Sequence, residues 1–389
     1  MFRDFSAQAA SAGLLAAVVG FASSFAVVLA GLTAIGASPE QAASGLMALS
    51  FGMGLPSIIL SLRYRMPISV AWSTPGAALL AASPILDGGF ATAVGAFLIS
   101  SVLIVIAGLF RPLGRAVAAI PAPLANAMLA GVLLGLCLAP VRAVGADPAT
   151  GLAIVLTWAI VARFRPLLAV PAAVIVTVLL MIFVTDAPAI PLDAVIATPV
   201  LVMPQFSLAA LGLAVPLFIV TMASQNIPGM AVLNVNGYRP DAGPLFTTTG
   251  IFSVLSAPFG GHAVNLAAIT AALCAGPEAH PEPARRYWAA MTSGVFYVLF
   301  GAFAGAATAM VAAAPPILIQ AVAGLALLNS FASAVVGAVS EEKARISAVI
   351  TFMVTASGLT FFGVSGAFWG LIAGGAMLAL ARWNPVKSQ

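Results

Sequence analysis

The sequence predicts an all-α polytopic membrane protein of about 14 transmembrane segments arranged as two inverted seven-segment repeats. Three observations predict it. Hydrophobic residues make up 62% of the 389-residue chain and charged residues only 7%, where a soluble domain carries roughly a quarter. Apolar runs such as Gly13 to Leu32, Ala91 to Phe110 and Pro166 to Val184 approach the ~20 residues that cross ~30 Å of hydrocarbon as helix. The basic residues then fall almost entirely on one face of the resulting topology.

The segments of the first half are read at 13–35, 44–62, 70–82, 90–110, 120–140, 149–163 and 167–185. Those of the second are read at 208–235, 243–257, 264–275, 287–312, 315–338, 345–360 and 363–382. Alternating them across a bilayer gathers Arg3, Arg63, Arg65, Arg111, Arg115, Arg163, Arg165, Arg239, Arg285, Arg286, Lys343, Arg345, Arg382 and Lys387 on one side. Only Arg142 falls on the other. Excess Lys and Arg marks the cytoplasmic side, so both termini are expected there, and a miscounted span would have scattered the charges. All 11 carboxylates lie in expected loops or tails.

Other classes lose support from the same numbers. The formal charge of +4 is a statement about membrane orientation here, and no nucleic-acid partner is expected. Apolar segments recur to the end of the chain, so no cleaved leader is expected. Cys137 and Cys274 sit inside apolar segments, against a disulfide framework or a zinc site. Metal or phosphoryl chemistry lacks its ligands: there is no His-Glu-x-x-His pair, no Asp-rich pair and no acid within a span. An enzyme and a bound cofactor are not expected.

The repeat is visible in the sequence itself. Pro121-Ala122-Pro123-Leu124-Ala125-Asn126-Ala127 is similar to Pro315-Pro316-Ile317-Leu318-Ile319-Gln320-Ala321, at an offset of 194 residues, half the chain. An odd number of spans per half inverts the second copy, as in many secondary transporters. The halves are read as 1–195 and 196–389.

Two segments are too short to cross as helix. Segment 70–82 reaches only ~20 Å. It follows Met66-Pro67-Ile68-Ser69-Val70, extended in character, and Ser73 or Thr74 as N-cap with Pro75 just inside signals a helix start near mid-membrane. The same offset reaches Phe259-Gly260-Gly261-His262-Ala263-Val264, where Asn265, followed by Leu266, is expected to cap a second half-helix. Two such helices starting from opposite sides would aim positive dipole ends at one point and attract an anion. The plainer reading is a pair of re-entrant packing elements, since irregular backbone at that depth must line a cavity or be buried in protein.

Polar residues in the spans mark the remaining candidates. Thr221 to Gly229 carries Gln225 and Asn226 against a Pro-Gly break, and both amides can donate to a carboxylate and accept from a polar substituent. Ser23 and Ser24 serve equally well as helix-packing contacts or site residues. Phe25 and Trp72 would form an aromatic wall or simply core. His262, just before the second half-helix, is a candidate proton carrier or a histidine bonded to nearby backbone. Asn126 and Gln320 suit either packing or a gate.

At Ala223-Ser224-Gln225-Asn226-Ile227-Pro228-Gly229-Met230 and at Phe259-Gly260-Gly261-His262 through Asn265-Leu266-Ala267-Ala268-Ile269-Thr270-Ala271-Ala272 the chain resembles the benzoate:proton symporter (BenE) family, over nearly its whole length. That family is in turn similar to nucleobase carriers of the UraA type. The resemblance implies proton-coupled uptake of benzoate or a similar aromatic carboxylate through a bacterial inner membrane. It also implies a short strand before each of half-helices three and ten. A core domain (13–110 and 208–312) and a gate domain (113–185 and 313–382) follow from it.

In the wider group acidic residues of the eighth and tenth segments bind substrate and couple to protons; here Gln225 and His262 stand in those places. A fixed carboxylate would repel benzoate, so the departure suits an anionic substrate. It leaves the proton route open among His262, a water chain and the substrate's own carboxyl. An anion channel or exchanger, or a nucleobase:proton symporter, remains an alternative on the same scaffold. A homodimer is compatible with the sequence.

Overall fold

The computed structural model describes residues 4–110, 112, 120–184, 195–361 and 364–382. Arg3, Arg111, Arg115, Asp186, Asp193 and Lys387 of the charge pattern lie outside them.

In the first half, α1 (Ala7–Ala22) and α2 (Phe25–Ala34) form one span. It is interrupted where the Ser23 and Ser24 hydroxyls both turn back to Gly20 O, at 3.2 and 2.8 Å, competing with the backbone ladder. α3 (Pro39–Tyr64) opens with a reciprocal capping box between Ser38 and Gln41. β1 (Val70–Trp72), α4 (Thr74–Ala81) and α5 (Phe90–Leu109) follow. α6 (Ala122–Cys137) stops short of its expected end because Pro140 cannot donate to the helical ladder, and a separate short helix α7 (Ala139–Ala146) begins there. α8 (Pro148–Phe164) and α9 (Ala169–Phe183) complete the half.

The second half starts with α10 (Leu208–Thr221), a π-helical turn at Met222–Asn226 and α11 (Ile227–Val235). Then come α12 (Ala242–Ser256), β2 (Val264–Leu266), α13 (Ile269–Ala275) and α14 (Tyr287–Ala302), which bends by 56° into α15 (Ala304–Ala313). α16 (Pro316–Val339), α17 (Arg345–Ala356), a small hairpin of β3 (Thr360–Phe361) and β4 (Val364–Ser365), and α18 (Gly366–Arg382) end the described chain. Every expected segment is helical, or strand plus helix, over most of its length. The breaks within segments one and eleven and the hairpin were not anticipated.

Among the described residues, 7 helices are long and apolar enough to cross a membrane on their own, or up to 8 if the bent pair is one span. Apolar side chains such as Ile160, Ile175 and Phe183 stand exposed on α8 and α9, which suits a hydrocarbon solvent.

Packing mixes the two halves. α3 and α1 lie on α14, α5 lies on α12 and α10, and α2 lies on α4; α6 lies on α16 and α17, α8 on α9, α17 on α18 and α7 on α16. Helix α2 touches α16 and α4 touches α6 where these two groups meet. At one end of α3, Arg65 pairs with Asp4 (3.3 Å) and donates to Tyr287 Oη (2.6 Å), while Gln8 donates to Glu278 O. The start of the chain, the end of α3 and the loop before α14 therefore meet at one end of the molecule.

Candidate functional site

Mid-membrane backbone outside a helix must find its hydrogen bonds within the protein. Here β1 and β2 find each other. They pair antiparallel with Val70 opposite Leu266, Ala71 opposite Asn265 and Trp72 opposite Val264. These residues stand at the 194-residue repeat offset, so a local two-fold passes between Ala71 and Asn265. The ladder extends through Ser73 N–H to Ala263 O (3.0 Å) and Ala267 N–H to Ser69 O (2.9 Å). Each outer edge is taken up by a serine from the preceding helix: Ser57 of α3 accepts from Val70 N–H and Ser253 of α12 from Val264 N–H, both at 2.9 Å.

From this pair the two half-helices depart. Ser73 caps α4, its hydroxyl accepting from Gly76 N–H at 3.1 Å with Pro75 in the first turn, as the sequence predicts. Asn265 does not cap the second half-helix. It lies at the centre of β2, fully buried, and α13 begins only at Ile269, without a side-chain cap. The arriving β1 strand offers a ladder on one side of Asn265, and that pairing overrides its capping preference. Its carboxamide instead faces Leu266 O (2.9 Å) and Ser73 N–H (3.1 Å).

The helix break of segment eight lies before Pro228 and Gly229, not at them. Pro228 has no N–H for the carbonyl four residues back, and the ladder widens into the π turn, whose end is marked by Ile227 N–H bonding to Met222 O. That turn rotates two adjacent amides to different tasks. Gln225 faces a cavity; Asn226 is fully buried, accepts from Leu266 N–H at 2.9 Å and ties the turn to β2. Gly229 permits this approach, since a Cβ there would stand 2.6 Å from Leu266 Cβ.

The cavity measures about 90 Å³ and is lined by Ser23, Ser24, Trp72, Thr74 and Gln225, five of the residues singled out from the sequence. Trp72 donates from Nε1 to Ser24 Oγ at 2.9 Å. Phe21 packs against Trp72 outside the lining, 5.3 Å from it and 5.8 Å from Phe25 between ring centres. Thr270, Tyr297 and, from α16, Ala326, Leu327 and Ser330 close the lining. Thr270 lies within the quoted motif, but Tyr297 and Ser330 carried no signal beyond being polar in apolar helices. Among the described residues, no Asp, Glu, Lys, Arg or His lines the cavity.

The other candidates lie behind the wall. Phe25, Ser73, Asn226, Asn265 and Leu266 are buried, Ser73 receiving a further hydrogen bond from Thr221 Oγ1 at 3.0 Å. His262 is fully buried outside the cavity lining. Its Nδ1 accepts from Ala263 N–H at 2.7 Å, its ring meets Phe97 edge-on at 6.2 Å, and Nε2 has no partner among the described residues. No cluster of three or more His, Cys, Asp or Glu that could hold a metal occurs among the described residues.

The arrangement is a small, uncharged, partly aromatic chamber in which two inverted halves meet. Solved structures share the architecture. The transmembrane domain of a cyanobacterium bicarbonate transporter, BicA, superposes with a TM-score of 0.56 at 15% identity, covering 98% of each chain. SLC26A9 superposes with a TM-score of 0.66 at 13% identity over 98% of this chain and 66% of that one. At such identities the likeness establishes the fold.

Sequence relatives go further. The inner membrane protein YdcO of Escherichia coli is 42% identical over 368 residues, 94% of this chain and 93% of the relative. The benzoate membrane transport protein of Acinetobacter baylyi is 34% identical over 373 residues, 96% of this chain and 94% of the relative. With the pattern of the BenE family, described as benzoate membrane transport protein, matching residues 3–380, this chain belongs to that family of membrane transport proteins.

Proposed function

We propose that the protein is a secondary active transporter that carries benzoate or a related aromatic carboxylate, together with a proton, through a bacterial inner membrane by alternating access. The observation that carries this reading is the uncharged cavity at the β1–β2 crossing, where Gln225 and Thr74 stand beside Trp72 and Tyr297. An amide N–H₂ and a hydroxyl can each donate to a carboxylate, and the rings of Trp72 and Tyr297 offer an apolar face to a ring. The uncapped first turn of α13 adds backbone donors on the same side.

At about 90 Å³ the cavity is well under the ~300 Å³ of ordinary ligand sites, so substrate enters by moving a wall. That wall is α16, and motion of the 113–185 and 313–382 gate domain against the 13–110 and 208–312 core domain would open it alternately to either side. Because no described lining residue ionises near neutrality, the coupled proton is assigned to a water chain beside the bound carboxylate. The excess of basic residues at the Arg63 end of α3 supports a cytoplasmic reading of that end and of both termini.

The test is uptake of labelled benzoate into proteoliposomes. Acidifying the outside should drive accumulation above equilibrium, and uptake indifferent to the gradient overturns proton symport. The absence of ionisable lining groups also favours anion exchange. Benzoate-independent chloride or bicarbonate flux would select that reading, and uracil uptake without benzoate competition would select a nucleobase carrier.

A further inference from the structure

A second cavity, of about 340 Å³, lies at the Pro39 end of α3, remote from Arg63 at the other end of that 26-residue helix. Unlike the central chamber it falls within the ~300–1,000 Å³ typical of sites for small organic ligands. Its walls are apolar, from Leu29 of α2, Val311 of α15 and Ile319 of α16, and its polar groups include Thr33 and the exposed amide of Gln320. This is the composition that such ligands require: apolar surface for a ring and a few placed donors.

One helix walls both chambers, and the first span comes close to doing the same. Ser24, the residue before α2, lines the central cavity, and Leu29 and Thr33 of α2 line the second one. α16 presents Gln320 to the second and Leu327 to the first, one face of the helix at a separation of ~10 Å along its axis. The repeat adds an independent observation. Asn126, at the 194-residue offset from Gln320, lines a smaller cavity of about 170 Å³ together with Ser224 of the π turn. Each half thus places one amide, near the start of its Pro-led helix, in a chamber bordering segments that also wall the centre.

We propose that Gln320 and Thr33 form a staging site for an aromatic monocarboxylate, which docks there before passing along α2 and α16 to the central cavity. Gln320 Nε2 donates to the carboxylate, and Leu29, Val311 and Ile319 hold the ring. The proposal rests on the reading that the central cavity takes this class of substrate.

The test compares parent, Gln320→Ala, Gln320→Glu and Ala312→Phe, the last filling the chamber, in proteoliposome uptake and in equilibrium binding of labelled benzoate to purified protein. Gln320→Ala should raise KM for uptake roughly tenfold, the worth of a hydrogen bond to a charged group, while the tighter binding phase stays within twofold of parent. Gln320→Glu should raise KM further by repelling the anion, and Ala312→Phe should slow uptake with the same tight binding. Parent-like uptake in all three variants, with the parent binding and transporting benzoate, overturns the staging site alone. A parent that neither binds nor transports benzoate overturns it together with the functional reading.

Discussion

The strand-led half-helix of the first repeat and that of the second are built on one symmetric crossing, yet they finish differently. β1 and β2 stand in two-fold register, each with its edge held by a helix serine. Beyond the strands the symmetry ends. α4 follows β1 at once, with its own Ser73 cap, whereas α13 starts later and uncapped. In the first half the broken span meets the strand through a side chain, Ser24 accepting from the Trp72 indole; in the second, Asn226 accepts directly from the Leu266 backbone. The first half ties up the hydroxyls of Ser24 and Ser73 within the protein and offers the cavity only that of Thr74. The second keeps an amide, Gln225, and the first turn of α13 available to a ligand.

The largest expected effect tests that division of labour. Gln225→Ala should weaken benzoate binding about tenfold or more, the cost of losing a hydrogen bond to a charged partner, with an unchanged melting temperature. Calorimetric titration measures it, and parent-like affinity would mean that the second half does not hold the ligand. Asn226→Ala comes next. It leaves the buried Leu266 N–H unpaired at a cost of ~1–3 kcal/mol in stability, so its melting temperature should fall further than that of Ser24→Ala, in which the indole loses one side-chain partner. Equal shifts would erase the difference between the two clasps.

Ser73→Ala removes a helix cap worth ~1 kcal/mol. It should lower the melting temperature slightly and leave the pH profile of uptake alone. His262 occupies the place that Ile68 holds in the first repeat, at the same 194-residue offset, and both are fully buried. A His262→Leu protein should accordingly keep the proton dependence of uptake; a flattened pH profile would restore the imidazole as the proton carrier.

The smallest effect concerns two later helices of the halves. Asp147 caps α8, and the Thr150 hydroxyl bonded to it at 2.8 Å holds its carboxyl below the ordinary carboxylate value, whereas α17 has no side-chain cap. A depressed folded value means the contribution is present above the unfolded carboxylate range and is lost as pH falls through the folded one. Melting of Asp147→Asn should therefore differ from parent at neutral pH, with the difference vanishing in acid.

How far the site was legible follows from where the information lies. Ser73 and Pro75 announced a helix start because capping is decided within four residues, and the structure agrees. Asn265 gave the same local signal and was pulled into a strand by a partner on the other half of the chain. Gln225 and Asn226 looked alike as neighbouring amides, but the π turn sends one to the cavity and buries the other.

The sequence by itself determined the membrane, the run of apolar helical segments and the inverted-repeat fold. Span-length apolar runs, the side on which the basic residues gather and a repeat at half the chain length are all properties of a one-dimensional string. Only the tertiary structure decided which polar side chains face the cavity. A polar group at mid-membrane goes wherever an unpaired donor or acceptor awaits it, and at the β1–β2 crossing those partners come from segments nearly two hundred residues away.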